Sequence, residues 1–235
     1  MTVMRAPFPK PHRLLLGLAV LSLVAVLPAA AEEMALDNGR VRAEFNDRGL
    51  VSIGTPKTGR TLSFSADPSS VTIDGAPILI GGLGPAEIEM TPAKVAYRYT
   101  RDPFAFDIVY ELKPAWDFLT KQIVVTSARS RVFRVNEVKL LAATLGLPVV
   151  EELALSGGSF GAVCRFAAVD APASASGKPA WSIFFMLQNP FMAWTRDGRD
   201  VAVSYAPDMD WSRDLGPFAS DRLCLGLVGL SAARF

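Results

Sequence analysis

The residues with the most chemical content in this sequence lie between Asn189 and Asp221. That stretch concentrates Trp194, Tyr205 and Trp211 with Asp197, Asp200, Asp208, Asp210 and Asp214. Flat aromatic faces stack on the apolar C–H side of a pyranose, and carboxylates accept from its hydroxyls. Trp194, Tyr205, Asp208, Asp210 and Trp211 are therefore the candidate carbohydrate-contacting residues. Two alternatives stand beside that reading: the rings fill the edge of a sandwich, or they pack on a neighbouring domain. The spacing Asp208-x-Asp210-x-x-x-Asp214 offers the oxygen ligands that calcium takes, but it lacks the glycine and terminal glutamate of an EF-hand loop. No metal and no cofactor is expected.

Other chemistries lack their parts. The single histidine, His12, lies near the N-terminus, so a Ser-His-Asp triad has no base in the rest of the chain. Glu151 and Glu152 are adjacent and on a strand point to opposite faces, unlike the facing carboxylates of a glycosidase. Gly81-Gly82-Leu83-Gly84-Pro85 lacks the Lys-Ser/Thr of a phosphate loop and reads as a plain loop. Cys164 and Cys224 without histidine do not make a zinc site. They are either a disulfide or two buried free thiols.

Residues 1–31 have the pattern of a secretory signal peptide. Arg5, Lys10 and Arg13 precede an apolar run over residues 14–27, then Pro28 and Ala29-Ala30-Ala31. The alternative, an uncleaved anchor, is disfavoured because the run is short for a bilayer span of about 20 residues. The expected product is a secreted or periplasmic domain, residues 32–235, with no membrane segment after cleavage. Removing three positive charges takes the net charge from +1 to −2, which leaves no electrostatic footprint for nucleic acid.

The elements that must position the candidate residues read as strands throughout. Residues 36–53, LDNGRVRAEFNDRGLVSI, form a hairpin pattern with Asn38-Gly39 as a two-residue turn and a second turn at Asn46-Asp47-Arg48-Gly49. Short strands are expected at 61–65 and 71–73, with Asp74-Gly75 turning the chain, then at 86–90 and 94–101. Phe104, Phe106, Ile108, Tyr110 and Leu112 recur at every second position on one long strand. Residues 118–127 return antiparallel after Pro114-Ala115-Trp116-Asp117. Residues 132–144 are apolar on both faces, as in a central strand; the spacing of Val135, Val138, Leu141 and Leu145 also fits a helix, and the β-branched content and the neighbouring strands favour strand. Further strands are expected at 151–155, 162–169, 181–187, 201–205 and 224–230, with a small-residue loop at 171–178. The seventeen prolines and eighteen glycines punctuate the chain at intervals that suit many short strands. The expected fold is all-β: a large antiparallel two-sheet β-sandwich.

The opening LDNGRVRAEFNDRGLVSI, the paired strands around FAFDIVYELKPAWDFLTKQIVV and the VFRVNEVKL strand resemble the galactose-mutarotase-like β-supersandwich. The segments LQNPFMAW, VSYAPDMDW, FASD and LGLVGLS are similar to the end of that domain as it stands before a catalytic barrel in α-galactosidase-like glycoside hydrolases. The resemblance implies a non-catalytic N-terminal domain of an exported glycoside hydrolase-like protein, because the family's catalytic carboxylates lie in the barrel. It implies a C-terminal barrel as partner, facing Phe191, Trp194, Trp211 and Phe218. Mutarotases of the same fold use a His acid and a Glu base, and no histidine follows His12. A free-standing secreted carbohydrate-binding module and a structural envelope protein are the alternative functions.

Overall fold

The computed structural model describes residues 34–65, 67–156, 162–169 and 181–229. The expected signal peptide and the loop at 171–178 lie outside these. Strand β1 (Met34–Asp37) pairs antiparallel with β2 (Arg42–Asn46). The turn between them is longer than the two residues expected. Its cause is the Asn38 side chain, whose Oδ1 accepts from the Arg40 and Val41 N–H groups at 3.0 and 2.9 Å, while Gly39 supplies a φ of +78°. Asp47-Arg48 then makes the tight turn into β3 (Gly49–Thr55), and β4 (Arg60–Ser63) completes a four-stranded sheet.

Strands β5 (Ser70–Ile73) and β6 (Ala76–Leu79) form a hairpin on Asp74-Gly75, where both residues have positive φ. A 3₁₀ turn, Ile80–Gly82, opens the glycine loop. The chain next meanders through β7 (Glu87–Thr91), β8 (Lys94–Arg101), β9 (Phe104–Glu111) and β10 (Leu119–Ser127). The alternation on β9 sets its buried face: Phe106, Ile108 and Tyr110 are enclosed.

Strand β11 (Phe133–Thr144) differs in an instructive way from the expectation of two apolar faces. Its register slips between Val135 and Glu137 against β5 and again between Lys139 and Leu141 against the strand on its other side. Each bulge inserts one residue and re-phases the alternation. Phe133, Val135, Val138, Leu140, Leu141 and Ala143 therefore all reach one buried face although their numbering changes parity.

The rest of the chain fills both layers. Strands β12 (Val149–Ser156), β13 (Ala162–Val169) and β14 (Trp181–Leu187) pair in sequence. Then come β15 (Ala193–Asp197), β16 (Asp200–Tyr205), β17 (Met209–Trp211), β18 (Phe218–Ala219) and β19 (Leu223–Val228). Among the described residues one sheet has nine strands: β12-β13-β14-β19-β10-β9-β8-β7, with β18 on β10. A six-stranded sheet runs β15-β16-β11-β5-β6, with β17 on β11. The four-stranded sheet joins it through the Phe64–Leu145 bridge and the Gly146 N–H to Ser63 carbonyl bond at 2.8 Å. The result is the expected all-β sandwich, with one layer assembled from two sheets. Rings meet across the layers: Phe45 with Tyr110 at 5.0 Å, Phe104 with Phe133 at 5.2 Å and Phe185 with Trp194 at 5.1 Å between centroids.

Two ionisable side chains meet in the described part of this core. Lys121 on β10 and Asp67, in the link from β4 to β5, have fully enclosed side chains, with Nζ 2.5 Å from Oδ1. The Tyr110 hydroxyl donates to Asp67 Oδ2, and the Leu50 main-chain N–H donates to the same carboxylate. Burial raises the Asp67 pKa and lowers that of Lys121, against the mutual attraction of the pair. Gly49 permits the close approach: its φ is +127°, and a Cβ there would stand 3.2 Å from the Tyr110 hydroxyl.

The two cysteines are free and buried. Cys164 and Cys224 each pair with Met186, from opposite sides. Two strand spacings separate their Cα atoms by about 10 Å, beyond the roughly 7 Å a disulfide spans. Burial, the chief cause, pushes both thiols up to about 11. Protein prepared without reductant is expected to be silent to a thiol reagent when native and to react at Cys164 and Cys224 when denatured. In urea titrations, Asp67→Ala strands the Lys121 amine and is expected to cost about 3–5 kcal/mol. Arg98→Ala, which opens the exposed pair with Asp107, is expected to cost about 1 kcal/mol or less.

Candidate functional site

Part of the stretch singled out from the sequence lines one groove. Asn189, Phe191, Tyr205, Trp211, Phe218 and Asp221 line it, in a volume of about 470 Å³. Where β14 ends, Asn189 Nδ2 donates to Asp221 Oδ2 and its Oδ1 accepts from the Phe191 N–H, both at 2.8 Å. That local turn throws the Phe191 ring outward, where it is 68 % exposed. Tyr205 ends β16 with its ring in the core, and its hydroxyl accepts from the Asp221 N–H at 2.8 Å. Burial keeps this phenol protonated, with its pKa raised. Trp211 is half-buried on β17; its indole N–H donates to the Gly216 carbonyl at 2.9 Å, and its ring meets Phe218 edge-on at 5.6 Å.

Asp208 and Asp210 stand beside this groove and do not line it. Arg134 on β11 holds them both, through Nε to Asp208 at 2.9 Å and Nη1 to Asp210 at 3.0 Å. Asn136 adds a 3.3 Å bond to Asp208. These bonds hold the Asp208 carboxyl below the usual carboxylate range and raise Arg134. The cluster clamps β17 onto β11, where Arg134 and Asp210 are opposite in register. Among the described residues no three His, Cys, Asp or Glu side chains come together as a metal site.

Trp194 is also elsewhere. It is half-buried between the layers on Phe185, with its indole nitrogen enclosed and unmatched by an acceptor among the described residues. Of the sequence-derived set, Tyr205 and Trp211 come together; Trp194, Asp208 and Asp210 do not join them. Of the surface implied to face a barrel, Phe218 is buried and Trp194 is turned inward, so Phe191 and part of Trp211 remain. Sequence reasoning passed over Asn189, Phe191 and Asp221 as contact residues. The available signal was Asn189-Pro190-Phe191 directly after a buried strand: a turn that leaves an aromatic with no strand to bury it.

The groove offers aromatic faces, one amide and one carboxylate, and the described part of the chain contains no imidazole. Rings can stack on the C–H face of a hydroxylated ring, and the amide and carboxylate can bond its hydroxyls.

No family model and no curated protein sequence matches this chain. Solved structures do. A galactose mutarotase-like protein from Lactobacillus casei superposes with a TM-score of 0.50 at 10% identity, over 83% of this chain and 100% of that one. An α-N-acetylgalactosaminidase from Bifidobacterium bifidum superposes with a TM-score of 0.54 at 11% identity, over 83% of this chain and 36% of that one. The likeness is one of fold: the chain has the β-sandwich shared by galactose mutarotase-like proteins and glycoside hydrolases. Tyr205→Phe removes the acceptor that fixes Asp221 and is expected to cost about 1 kcal/mol in urea titration. Phe191→Ala is expected to change stability by no more than about 0.5 kcal/mol.

Proposed function

We propose that this chain is a non-catalytic β-supersandwich domain of an exported glycoside hydrolase-type protein, working beside a catalytic barrel and contacting carbohydrate through the Phe191–Trp211 groove. The observation that carries the reading is the convergence of Phe191, Tyr205, Trp211, Asn189 and Asp221 in one open groove on a fold shared with carbohydrate-processing proteins. A pyranose laid on the Phe191 ring would present its C–H face to the aromatic surface and its hydroxyls to Asp221. Asn189 occupies one carboxylate oxygen of Asp221 and holds it in place. Export is supported by the signal-like pattern of residues 1–31. Placement beside a catalytic domain is supported by the Bifidobacterium enzyme, in which the matched region is 36% of the chain.

The non-catalytic part rests on composition and geometry. Proton transfer at an anomeric centre near neutral pH is easiest with imidazole, and none follows His12. Glycoside hydrolysis by two carboxylates needs a facing pair about 5–10 Å apart, and the described groove lining carries Asp221 alone. A second reading, a free-standing carbohydrate-binding module, is favoured by the Lactobacillus protein, whose whole length this fold covers.

Calorimetric titration of the purified chain with a panel of oligosaccharides is expected to show binding to at least one. Phe191→Ala is expected to weaken that binding about tenfold, equivalent to about 1.4 kcal/mol. Flat titrations across the panel would overturn the sugar contact, and release of aglycone from aryl-glycosides would overturn the non-catalytic reading.

A further inference from the structure

We propose that Lys121 and Asp67 become joined by an intramolecular amide bond that forms as the sandwich closes, because Nζ and Oδ1 lie 2.5 Å apart in a site where both side chains are sealed from solvent and Tyr110 donates to the second carboxyl oxygen. An amine, a carboxyl group and a hydroxyl that donates to it lie together. The nucleophile is the Lys121 amine, which burial shifts toward its neutral form, and the electrophile is the Asp67 carboxyl, which burial shifts toward its protonated form. Neutral amine and neutral acid are the pair that condenses; ammonium and carboxylate do not. The Leu50 main-chain N–H bonds the same carboxyl group and helps to fix its position.

The proton balance closes within the triad. The Nζ lone pair attacks Cγ. The Tyr110 hydroxyl passes its proton to Oδ2 and takes one back from Nζ. Oδ2, carrying that proton and the acid proton, leaves as water as the Cγ–Oδ2 bond breaks. Oδ1 remains as the amide carbonyl, and Tyr110 ends unchanged. No oxidant or activating group takes part. Fixed contact of this kind corresponds to effective concentrations of roughly 10⁵ M or more, which offsets the poor leaving group. Beside the pair lies a cavity of about 620 Å³, lined by Asp67, Ser69, Tyr99 and Ile108, that can receive the expelled water.

The bond would join the link between β4 and β5 to the first part of β10, and so fasten one layer to the other. Lys121 and Tyr110 are opposite in the β9–β10 register, so the tyrosine travels with the amine. The Lys121 nitrogen also lies 5.3 Å from the centroid of the Tyr110 ring.

The test is peptide mapping by mass spectrometry on the purified full chain, denatured before digestion. The expected result is that the peptides containing Asp67 and Lys121 are recovered as one branched species, lighter by one water than their sum, with no tryptic cleavage after Lys121. Linear peptides with unmodified Asp67 and Lys121 from soluble, folded protein would overturn the proposal. Lys121→Arg is expected to abolish the branched species. Tyr110→Phe keeps the ring against Phe45 and Tyr97; it is expected to lower the bridged fraction at early times after synthesis by at least tenfold. Unchanged bridging in Tyr110→Phe would overturn the relay assigned to that hydroxyl.

Discussion

The contact between Lys121 and Asp67 is the constraint on which the arrangement of layers depends. A charge-bearing side chain taken out of water costs several kcal/mol if it is left alone. Lys121 on the inner face of β10 is therefore tolerable only if Asp67 reaches it. Asp67 belongs to the link between the four-stranded sheet and β5, so meeting Lys121 fixes where that link crosses the core. Tyr110 and the Leu50 N–H occupy further lone pairs of the same carboxylate, and Gly49 gives β3 the room to come that close. One side chain thus sets the position of elements from all three sheets, something the surrounding apolar residues, being non-directional in their attraction, do not do.

The groove depends on a different crossing. After β16 the chain gives β17 to the sheet of β11, then β18 to the sheet of β10, and so passes from one layer to the other within residues 209–219. Trp211 and Phe218 sit at either end of that passage and meet edge-on. The Arg134 clamp on Asp208 and Asp210 secures the first strand. In the second, the Ser220 N–H donates to the Ile123 carbonyl at 2.8 Å, and Gln122 Nε2 reaches the Ser220 carbonyl at 2.6 Å. A crossing segment leaves a gap at the end of the sandwich, and the gap is the groove. Its aromatic floor is core that the layers do not quite cover.

Period-two patterning made most of the fold legible. The alternation from Phe104 to Leu112, the return strand after it and the Asp74-Gly75 turn lie where the residues place them. Two kinds of information were hidden. Bulges in β11 change parity without changing the face, so an apolar pattern that reads as two faces is one. Short strands such as β15, β17 and β18 carry too few residues to show a period at all. The groove was half legible for the same reason: composition pointed to residues 189–221, but which side of a short strand a residue occupies was not readable, and Trp194, Asp208 and Asp210 do not line it. Lys121 was readable and was passed over. It shares parity with Leu119, Ile123 and Val125, and an inward lysine on a regular strand requires a buried carboxylate somewhere in the chain.

Carboxylates in this molecule therefore take three roles, set by the medium around each. Asp208 is in water with a guanidinium beside it, and stays ionised below its usual range; its bond is screened and serves register rather than stability. Asp67 is out of water, where desolvation outweighs the attraction of Lys121 and raises its pKa. Asp221 lies between: part-buried, with one oxygen occupied by Asn189 and its own N–H anchored on Tyr205. Of the three, only this last is both held in place by neutral partners and open to a groove. A ligand hydroxyl there competes neither with an ion pair, as at Asp208, nor with a sealed core, as at Asp67. That intermediate environment, more than the presence of aromatic residues, is what the proposed sugar contact relies on.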